Sequence, residues 1–498
     1  MPNISNTHIQ QKIQRQIRGE ELRLLDLFSG CGGLSLGFKK AGYSIVAGIE
    51  LDEEAARSHA INFHKEDIFF AQHARPKDIQ TTDPELLFRE IGLEGSSKDQ
   101  IDVIIGGPPC QAFTRIGRAK LRQTFSNEQA FLNDPRSQLY KQYLSYVKLL
   151  APLAILMENV PDMLNYGGVN IAELVCNDLG KIGYNCRYTL LNTAHYGIPQ
   201  MRERMFLIAL HESVIADIAF PLPTHYIKLP KGYHGSRNVA LKHVLAEGSS
   251  ARHYVPPPEP DLTFPPARTA SEAISDLPLL TGHLAGKIKR GTQKLDLPLN
   301  YSSIPQNDYQ DIMRNWPGVR SGDTVYGNVI RFLPRDYPIF RKMRPGDQYP
   351  QAIEVAKKIL NQKIRKEEKS TGRNISLKSN RYKELYKETV PPYDVQKFPN
   401  KWRKMEADQP ARTLMAHLGK DSYSHIHYDS NQARTISVRE AARLQSFPDG
   451  FEFSGAMNAA FRQIGNAVPP LMAAKLAETI KLTIQTGIRC YQNPNLKV

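Results

Sequence analysis

A glycine-rich turn between two apolar runs constrains the fold of this chain more than any other feature. It lies within residues 21–50, ELRLLDLFSGCGGLSLGFKKAGYSIVAGIE. The sequence predicts a strand over Leu22–Phe28, a helix over Leu34–Ala41 and a second strand over Ser44–Ile49. Strand, helix and strand at this spacing form a βαβ unit, in which the two strands pair in parallel. We therefore expect an α/β fold.

Other segments extend this pattern along the chain. Apolar runs predict strands at Ile101–Ile105, Pro152–Met157 and Met205–Leu210, and periodic stretches predict helices at Gln138–Leu150 and Leu471–Ile484. Alternating strands and helices favour an open sheet with helices on both faces. The first twenty residues are polar, and we expect them to form a mobile arm or a short helix.

The region between residues 221 and 435 differs in composition. It is rich in Pro, Arg, Lys and Tyr and has weak periodicity, which predicts a second, irregular domain. Its segment 357–388 holds eleven Lys or Arg and four acidic residues. The whole chain has a formal net charge of +15 at pH 7, and an excess of this size suggests a polyanionic partner such as nucleic acid. A solvated basic surface without a partner is the alternative.

The cysteine pattern indicates a reducing compartment rather than a fold held by disulfides or zinc. There are five, at positions 31, 110, 176, 186 and 490, and none forms a CxxC pair. This pattern is not typical of a disulfide framework or a zinc module, so we expect a reducing cytosol and no metal site. The first residues lack an apolar segment and no apolar run is long enough to span a bilayer, so neither a secretory signal nor a membrane span is expected.

The glycine-rich turn is suited to a ligand. Asp26–Gly33 reads DLFSGCGG, and glycines at such a turn let backbone amides approach a bound group closely. Glu50 ends the second predicted strand, where a carboxylate takes the ribose hydroxyls of an adenosyl ligand in such folds. The spacing is GxGG rather than GxGxxG, which disfavours a nicotinamide dehydrogenase. A tight turn that simply needs glycine is the alternative.

A second motif, GGPPCQAFT over Gly106–Thr114, places Cys110 directly after two prolines. Because proline cannot donate to a strand ladder, the segment is predicted to be a stiff loop at the ligand edge of the sheet. A thiol held there is suited to act as a nucleophile. The alternative for a lone cysteine is a buried, inert thiol.

Two further motifs supply charged side chains. Glu158 and Asn159 follow a predicted strand, and a glutamate whose pKa is raised by burial can donate a proton there. Arg202 and Arg204 alternate in the segment QMRER, and guanidinium groups suit a phosphate or a carbonyl oxygen. The alternatives are an ordinary surface glutamate and a strand-edge ion-pair ladder with Glu203.

Taken in order, these motifs resemble those of the cytosine-5 DNA methyltransferase family. Towards the C-terminus, Arg439–Pro448 (REAARLQSFP) is similar to the family's RExxRLQxFP motif, and Gln463–Pro470 (QIGNAVPP) is similar to its closing GNAVPP motif. The resemblance covers residues 21–215 and 435–485. PPCQ, ENV, QxRxR and GNAVPP in one order are highly specific, whereas one short motif alone often matches by chance.

The resemblance implies a Rossmann-like S-adenosylmethionine-dependent methyltransferase sheet with a second, smaller, irregular DNA-recognition domain. The implied parts are an N-terminal arm (1–20), a catalytic domain (21–215, completed by 456–490) and a target-recognition domain (216–455). The implied catalytic residues are Cys110, Glu158, Arg202 and Arg204. The implied S-adenosylmethionine-binding residues are Phe28, Gly30, Gly32, Gly33, Leu34, Glu50, Asp78, Pro108, Asn466 and Ala467, with Asp78 preferred to Asp67 as the acidic residue near the adenine.

The resemblance also implies a reaction. Cys110 adds to carbon 6 of a cytosine flipped out of duplex DNA, and carbon 5 then takes the methyl group. Glu158 contacts the ring N3 and the exocyclic amine, Arg204 with Arg202 faces the O2 carbonyl, and Asn159 shapes the pocket.

A single chain of this size resembles the bacterial type II modification methylases. That implies a cytoplasmic monomer that protects DNA from a partner restriction endonuclease. A tRNA cytosine-5 methyltransferase on the same scaffold is one alternative, which the long variable region and the basic segment disfavour. A catalytically inactive DNA-binding regulator is another, which intact Cys110, Glu158 and Arg204 disfavour.

Overall fold

The chain divides into two compact units. The computed structural model describes residues 4–109, 139–166, 168–246, 251–288, 293–420 and 423–492. Unit 1 comprises Met1–Ala267 and Ala467–Val498, and unit 2 comprises Arg268–Asn466. The functional division into a catalytic and a target-recognition domain stays a prediction.

A mostly parallel sheet forms the centre of unit 1. In the described residues its strands are β1 (Leu22–Leu27), β2 (Tyr43–Ile49), β3 (Val103–Gly106), β4 (Ala154–Asn159), β5 (Tyr184–Asn192) and β6 (Glu203–His211), arranged in the order β2-β1-β3-β4-β6-β5. Strands β1 to β4 pair in parallel, and β6 pairs antiparallel with both β4 and β5. The predicted α/β class and the parallel pairing of β1 with β2 are confirmed. The sequence did not predict β5.

Helices cover both faces of this sheet, as the strand pattern predicted. The described α-helices of unit 1 are Ile4–Ile17, Gly33–Lys40, Glu53–Phe63, Phe70–Ala74, Pro84–Glu90, Ser97–Gln100, Leu139–Leu150, Ile171–Gly180, Lys231–Leu241 and Pro470–Gln492, with 3-10 turns at Pro161–Asn165 and Thr193–Tyr196 and a two-residue strand at Gln200–Met201. Helices 139–150 and 171–180 join one apolar cluster, and helices 4–17, 33–40 and 470–492 join the other.

Helices 33–40 and 470–492 pack closely because Gly37 has no side chain. A Cβ atom at Gly37 would lie 2.4 Å from the Cβ of Ala473, so a larger residue would force the two helices apart. The C-terminal segment therefore completes the core that the first βαβ unit begins.

The N-terminal residues form a helix, the second of the two alternatives that their polar composition left open. Ile9 and Ile13 are buried in the apolar cluster. Lys12 is also fully buried, and its ammonium group donates to the carbonyls of Leu150 and Ala151, each at 2.8 Å. A buried cation needs such partners, so these bonds fix the helix to the end of helix 139–150.

The regular structure of unit 2 is mainly helical, and most of its described residues lie outside helices and strands. Its described helices are Ala270–Ile274, Asp308–Arg314, Tyr337–Lys342, Tyr349–Thr371, Asn380–Thr389, Val438–Leu444 and Met457–Asn466. Leu299–Asn300 pairs antiparallel with Thr324–Val325, and Ala411–Arg412 is a further two-residue strand. One apolar cluster surrounds Trp402 and includes Phe340 and Tyr349. Among the described helices of the chain, none combines the length and apolar character that a membrane crossing requires.

The REAARLQSFP segment supplies buried charges to unit 2. Arg443 is fully buried, and its guanidinium donates to Asp449 at 2.6 Å and to Asp276 at 3.0 Å. Glu440 accepts from both terminal nitrogens of the buried Arg434, each at 2.7 Å. These contacts give the motif a structural role inside unit 2.

Replacing Arg443 with methionine should destabilise unit 2 by on the order of 3–5 kcal/mol, because buried Asp449 loses its arginine partner and buried Asp276 keeps Arg314 but loses Arg443. The only two tryptophans, Trp316 and Trp402, are both buried in unit 2, so tryptophan fluorescence during urea unfolding reports on this unit. The control is Arg381→Met, which removes an exposed ion pair with Glu367 and should leave the unfolding midpoint nearly unchanged. Equal midpoints for the two variants would contradict the prediction.

Candidate active site

Three of the predicted motifs meet at one edge of the sheet in unit 1. Leu27, at the end of β1, pairs with Gly106 at the end of β3, and Gly106 pairs with Met157 of β4. The strand order reverses between β1 and β3, where open α/β sheets form a ligand crevice beyond the carboxyl ends of the strands. The glycine-rich turn, the loop from Gly107 and the Glu158–Asn159 pair therefore lie next to one another.

The turn after β1 is held by Glu50. The Glu50 carboxylate accepts from the amide of Gly30 at 2.9 Å and from the amide of Asp52 at 2.8 Å. Gly30 and Gly32 have φ angles of 53° and 97°, and Phe28 has a φ of 61°, which is strained for a residue with a side chain. Strain of this kind persists where the surrounding structure enforces it, and it is frequent at ligand sites.

The residues of this turn fit an adenosyl ligand. A Cβ atom at Gly30 would meet nothing within 4 Å, so there is open space beside the backbone. The hydroxyl of Ser29 is buried and has no hydrogen-bond partner in the part of the chain that the structure describes. Helix 33–40 begins at Gly33 and offers amides there, whereas the side chain of Leu34 is buried in the apolar core and could contribute only through its backbone.

Asp78 follows a residue, Lys77, that is hydrogen-bonded to Glu50. The amide of Lys77 donates to the carbonyl oxygen of Glu50 at 2.6 Å, which brings the next residue, Asp78, to the same edge. Asp78 borders a cleft of ≈ 210 Å³. Asp67 lies instead beside His64 and His73, which supports the preference for Asp78.

Leu51 was not predicted as a site residue. Its side chain is 67% exposed directly after Glu50, at the carboxyl end of β2. An exposed leucine beside the carboxylate that is predicted to bind ribose is suited to contact the flat face of an adenine. The signal was available in the sequence, as an apolar residue immediately after the strand-ending glutamate.

Cys110, the predicted nucleophile, lies outside the described residues, but the loop that leads to it is described up to Pro109. The side-chain amide of Asn159 donates to the carbonyl of Pro108 at 3.0 Å, and this bond is buried. The ENV motif therefore fixes the proline loop.

The four described cysteines are all buried: Cys31, Cys176, Cys186 and Cys490. Burial raises the pKa of Cys31 and of Cys176 well above the ordinary value, which suppresses the reactive thiolate form.

Glu158 and Arg204 form a nearly dry ion pair beside this loop. The Nε of Arg204 lies 3.0 Å from Oε1 of Glu158, and the side chains are 15% and 12% exposed. A Cβ atom at Gly107 would lie 3.0 Å from Oε2 of Glu158, so the carboxylate contacts the backbone just before the prolines. Burial raises the pKa of Glu158, while Arg204 and Arg202 partly oppose that shift.

Arg204 pairs with Glu158, whereas Glu203 accepts from Nε of Arg237 at 2.7 Å. Arg202 is 1% exposed and adds positive charge near Glu158.

The closing motif spans the boundary between the two units. Asn466 ends helix 457–466 in unit 2, and Ala467 begins the final segment of unit 1. Val468 is buried in the core of unit 1. The predicted cofactor contacts of Asn466 and Ala467 stay predictions.

Comparison with known proteins identifies the family. The model of the C-5 cytosine-specific DNA methylases matches residues 22–276 and 293–482, most of the chain. The chain belongs to that family. A protein of Oceanobacillus iheyensis whose name describes it as a type II methyltransferase, M.OihORF3336P, is 41% identical over 93% of this chain and 96% of its own length. The type II methyltransferase M.AgeI of Thalassovita gelatinovora is 31% identical over 93% of this chain and 100% of its own length.

A solved structure has a similar fold. A crystal structure described as a DNA modification methyltransferase encoded within an E. coli prophage superposes with a TM-score of 0.57. It covers 93% of this chain and 100% of its own, at 21% identity, so it supports the fold. The predicted resemblance to the C-5 cytosine methylases and the predicted fold class are confirmed.

Proposed function

We propose that this C-5 cytosine methylase transfers a methyl group from S-adenosylmethionine to carbon 5 of a flipped-out cytosine within a specific duplex DNA sequence. The observation that supports this most is the buried Glu158–Arg204 pair against the loop that leads to Cys110. The carboxyl group of Glu158 and the guanidinium of Arg204 lie at the same sheet edge as the glycine turn that Glu50 binds.

Cys110 is the proposed nucleophile. Carbon 5 of cytosine is a poor nucleophile, and thiolate addition at carbon 6 turns it into an enamine-like carbon. When bound, S-adenosylmethionine would supply an electrophilic methyl group to that carbon, with S-adenosylhomocysteine as the leaving group. Carbon 5 then loses its proton to water, elimination breaks the sulfur–carbon 6 bond and releases the Cys110 thiolate, and N3 returns to Glu158 the proton that it received.

Glu158 and Arg204 act on the ring in this proposal. Protonated Glu158 donates to N3, where negative charge develops as sulfur adds to carbon 6. Arg204, supported by Arg202, neutralises charge at the O2 carbonyl. The raised pKa of Glu158 suits a proton donor, and the bond from Asn159 to Pro108 holds the described start of the proline loop beside it.

The basic segment of unit 2, residues 357–388, is proposed to bind the phosphates of DNA. All eleven Lys and Arg residues between 357 and 388 are exposed on helices 349–371 and 380–389 and the turn between them. Flipping a base costs a few kcal/mol, and contacts to phosphates and to the pocket can offset this cost.

Glu50 is the residue proposed to take the ribose hydroxyls. Replacing Glu50 with alanine should weaken S-adenosylmethionine binding by about 10- to 100-fold, because charge-assisted hydrogen bonds and the anchor of the Gly30 amide are lost. Calorimetry measures this, with DNA affinity expected to change less. Glu53→Ala, an exposed glutamate three residues later, is the control and should bind normally. Unchanged cofactor affinity in the Glu50 variant would count against the assignment.

Protection of DNA from a paired restriction endonuclease is the proposed biological role, with the chain acting as a monomer. Bisulfite sequencing of DNA from a host that expresses the chain reports the product and the recognition sequence together. We expect 5-methylcytosine at one short sequence. Methylation of tRNA with unmodified duplex DNA would instead establish the tRNA alternative.

A further inference from the structure

Three side chains with metal-ligating atoms lie together on a short segment of unit 1 outside the proposed active site. They are His64, Asp67 and His73, and their candidate ligand atoms all lie within 4.8 Å of one another. No metal site was expected from the sequence, since its cysteines do not form a zinc module, and the spacing H-x2-D-x5-H matches no familiar zinc pattern.

Local hydrogen bonds bring these residues together. His64 follows helix 53–63, and the amide of Asp67 donates to the carbonyl of His64 at 3.1 Å, which closes a turn. Helix 70–74 begins directly afterwards and carries His73. The rings of His64 and His73 stack with centroids 3.7 Å apart, and Nε2 of His73 lies 3.5 Å from Oδ2 of Asp67.

The group has an unused ligand atom and a route to solvent. His64 is 7% exposed, and its Nε2 is buried and has no hydrogen-bond partner among the described residues. A buried imidazole nitrogen without a partner is costly unless something binds it. The Asp67 side chain is 35% exposed, so an ion can enter from the solvent side. His59 is not part of the set, because its Nε2 already lies 3.2 Å from the hydroxyl of Ser35.

We propose that His64, Asp67 and His73 bind a divalent transition-metal ion of the zinc type. Two imidazole nitrogens and one carboxylate oxygen are ligands that Zn²⁺ prefers, and a water completes four-coordination. Mg²⁺ and Ca²⁺ are disfavoured because the set offers a single oxygen-bearing side chain.

Binding requires a small local rearrangement. Ligand atoms of a tetrahedral zinc site are about 3.4 Å apart, so side-chain rotations must bring the present group closer together. The stacked rings must also turn away from their parallel orientation, so that both lone pairs point at one ion. The ammonium of Lys77 donates to the carbonyls of His73 and Arg75, at 3.1 and 2.9 Å, which directs its charge towards the backbone.

The ion would tie residues 64–73 into one closed loop. This segment leads to Lys77, whose amide is bonded to the carbonyl of Glu50. The metal site therefore stabilises unit 1 next to the proposed cofactor edge, and it does not depend on the methyl-transfer mechanism.

Zinc titration of tag-free, EDTA-treated full-length protein tests this proposal. We expect one Zn²⁺ per chain by calorimetry and a higher melting temperature with Zn²⁺ but not with Mg²⁺. His64→Phe keeps the stacked ring and removes the nitrogen, and it should weaken the site by at least about tenfold. His234→Phe, at an exposed histidine of unit 1, is the control and should bind like the wild type.

Two results would overturn the proposal: no stoichiometric Zn²⁺ binding by the wild type, or equal affinity in the His64→Phe variant. Circular dichroism without metal checks that this variant folds. If it does not fold, Asp67→Asn at the half-exposed position carries the same expectation, and unchanged Zn²⁺ affinity in that variant would equally overturn the site.

Discussion

Replacing Cys110 with serine is expected to lower methyl transfer by on the order of 10⁴-fold or more while duplex DNA binding is retained. A hydroxyl is far less ionised than a thiol near neutral pH and adds poorly to carbon 6, so carbon 5 is never activated. The four described cysteines are not expected to substitute for Cys110, because all four are buried. Transfer of labelled methyl groups to duplex DNA measures the loss, and a gel-shift titration measures binding.

Cys490→Ser is the matched control for this variant. Cys490 is buried in helix 470–492, which carries none of the proposed site residues, and its replacement should leave turnover near the wild-type rate. Substantial methylation by the Cys110→Ser variant would refute the nucleophile assignment. Loss of DNA binding together with turnover would instead point to a role in the fold.

Replacing Glu158 with glutamine is expected to lower kcat by about 10²- to 10⁴-fold. Glutamine has nearly the same shape and can still form hydrogen bonds, but it cannot release a proton to N3. Burial raises the pKa of Glu158, so in the wild type the acid form persists to a higher pH than in an ordinary glutamate. Activity should therefore fall as the pH rises through that raised pKa.

The pH profile distinguishes proton donation by Glu158 from simple support of Arg204. The wild-type rate should show an alkaline decline that the Glu158→Gln variant lacks. Glu173→Gln is the control, because Glu173 is also a buried, paired glutamate of unit 1, bonded to His253 and Tyr188. If the rates of the wild type and of Glu158→Gln fell identically at high pH, a group other than Glu158 would cause the decline.

Much of unit 1 could be predicted because its strands are short, continuous apolar runs bounded by glycine, proline or a charged residue. Strands β1 to β4 and β6 begin and end within two residues of their predicted bounds. β5 was missed because its first four residues alternate between buried and exposed, while the following five are all buried. Neither an alternation of buried and exposed residues nor a continuous buried run describes the whole strand. Its antiparallel hydrogen bonding with β6 is what identifies it as a strand.

In the candidate sites, too, some groupings of residues could be predicted from strand ends and others could not. The neighbourhood of Gly30, Glu50 and Glu158 follows from strand ends, which parallel pairing brings to one edge. The His64–Asp67–His73 group depends on a turn and a one-turn helix, for which the sequence gives only weak periodicity. The buried partners of Arg443 are likewise distant in sequence, since Asp276 lies 167 positions away.

A DNA duplex that carries 5-fluorocytosine at the recognised position gives the most direct test of covalent catalysis. Fluorine replaces the proton that must leave carbon 5, so elimination is blocked after methyl transfer and the enzyme stays attached. Mass spectrometry of the digested complex should find a methylated fluoropyrimidine bonded to the peptide that contains Cys110. An adduct on a different residue, or methyl transfer without any adduct, would contradict the account.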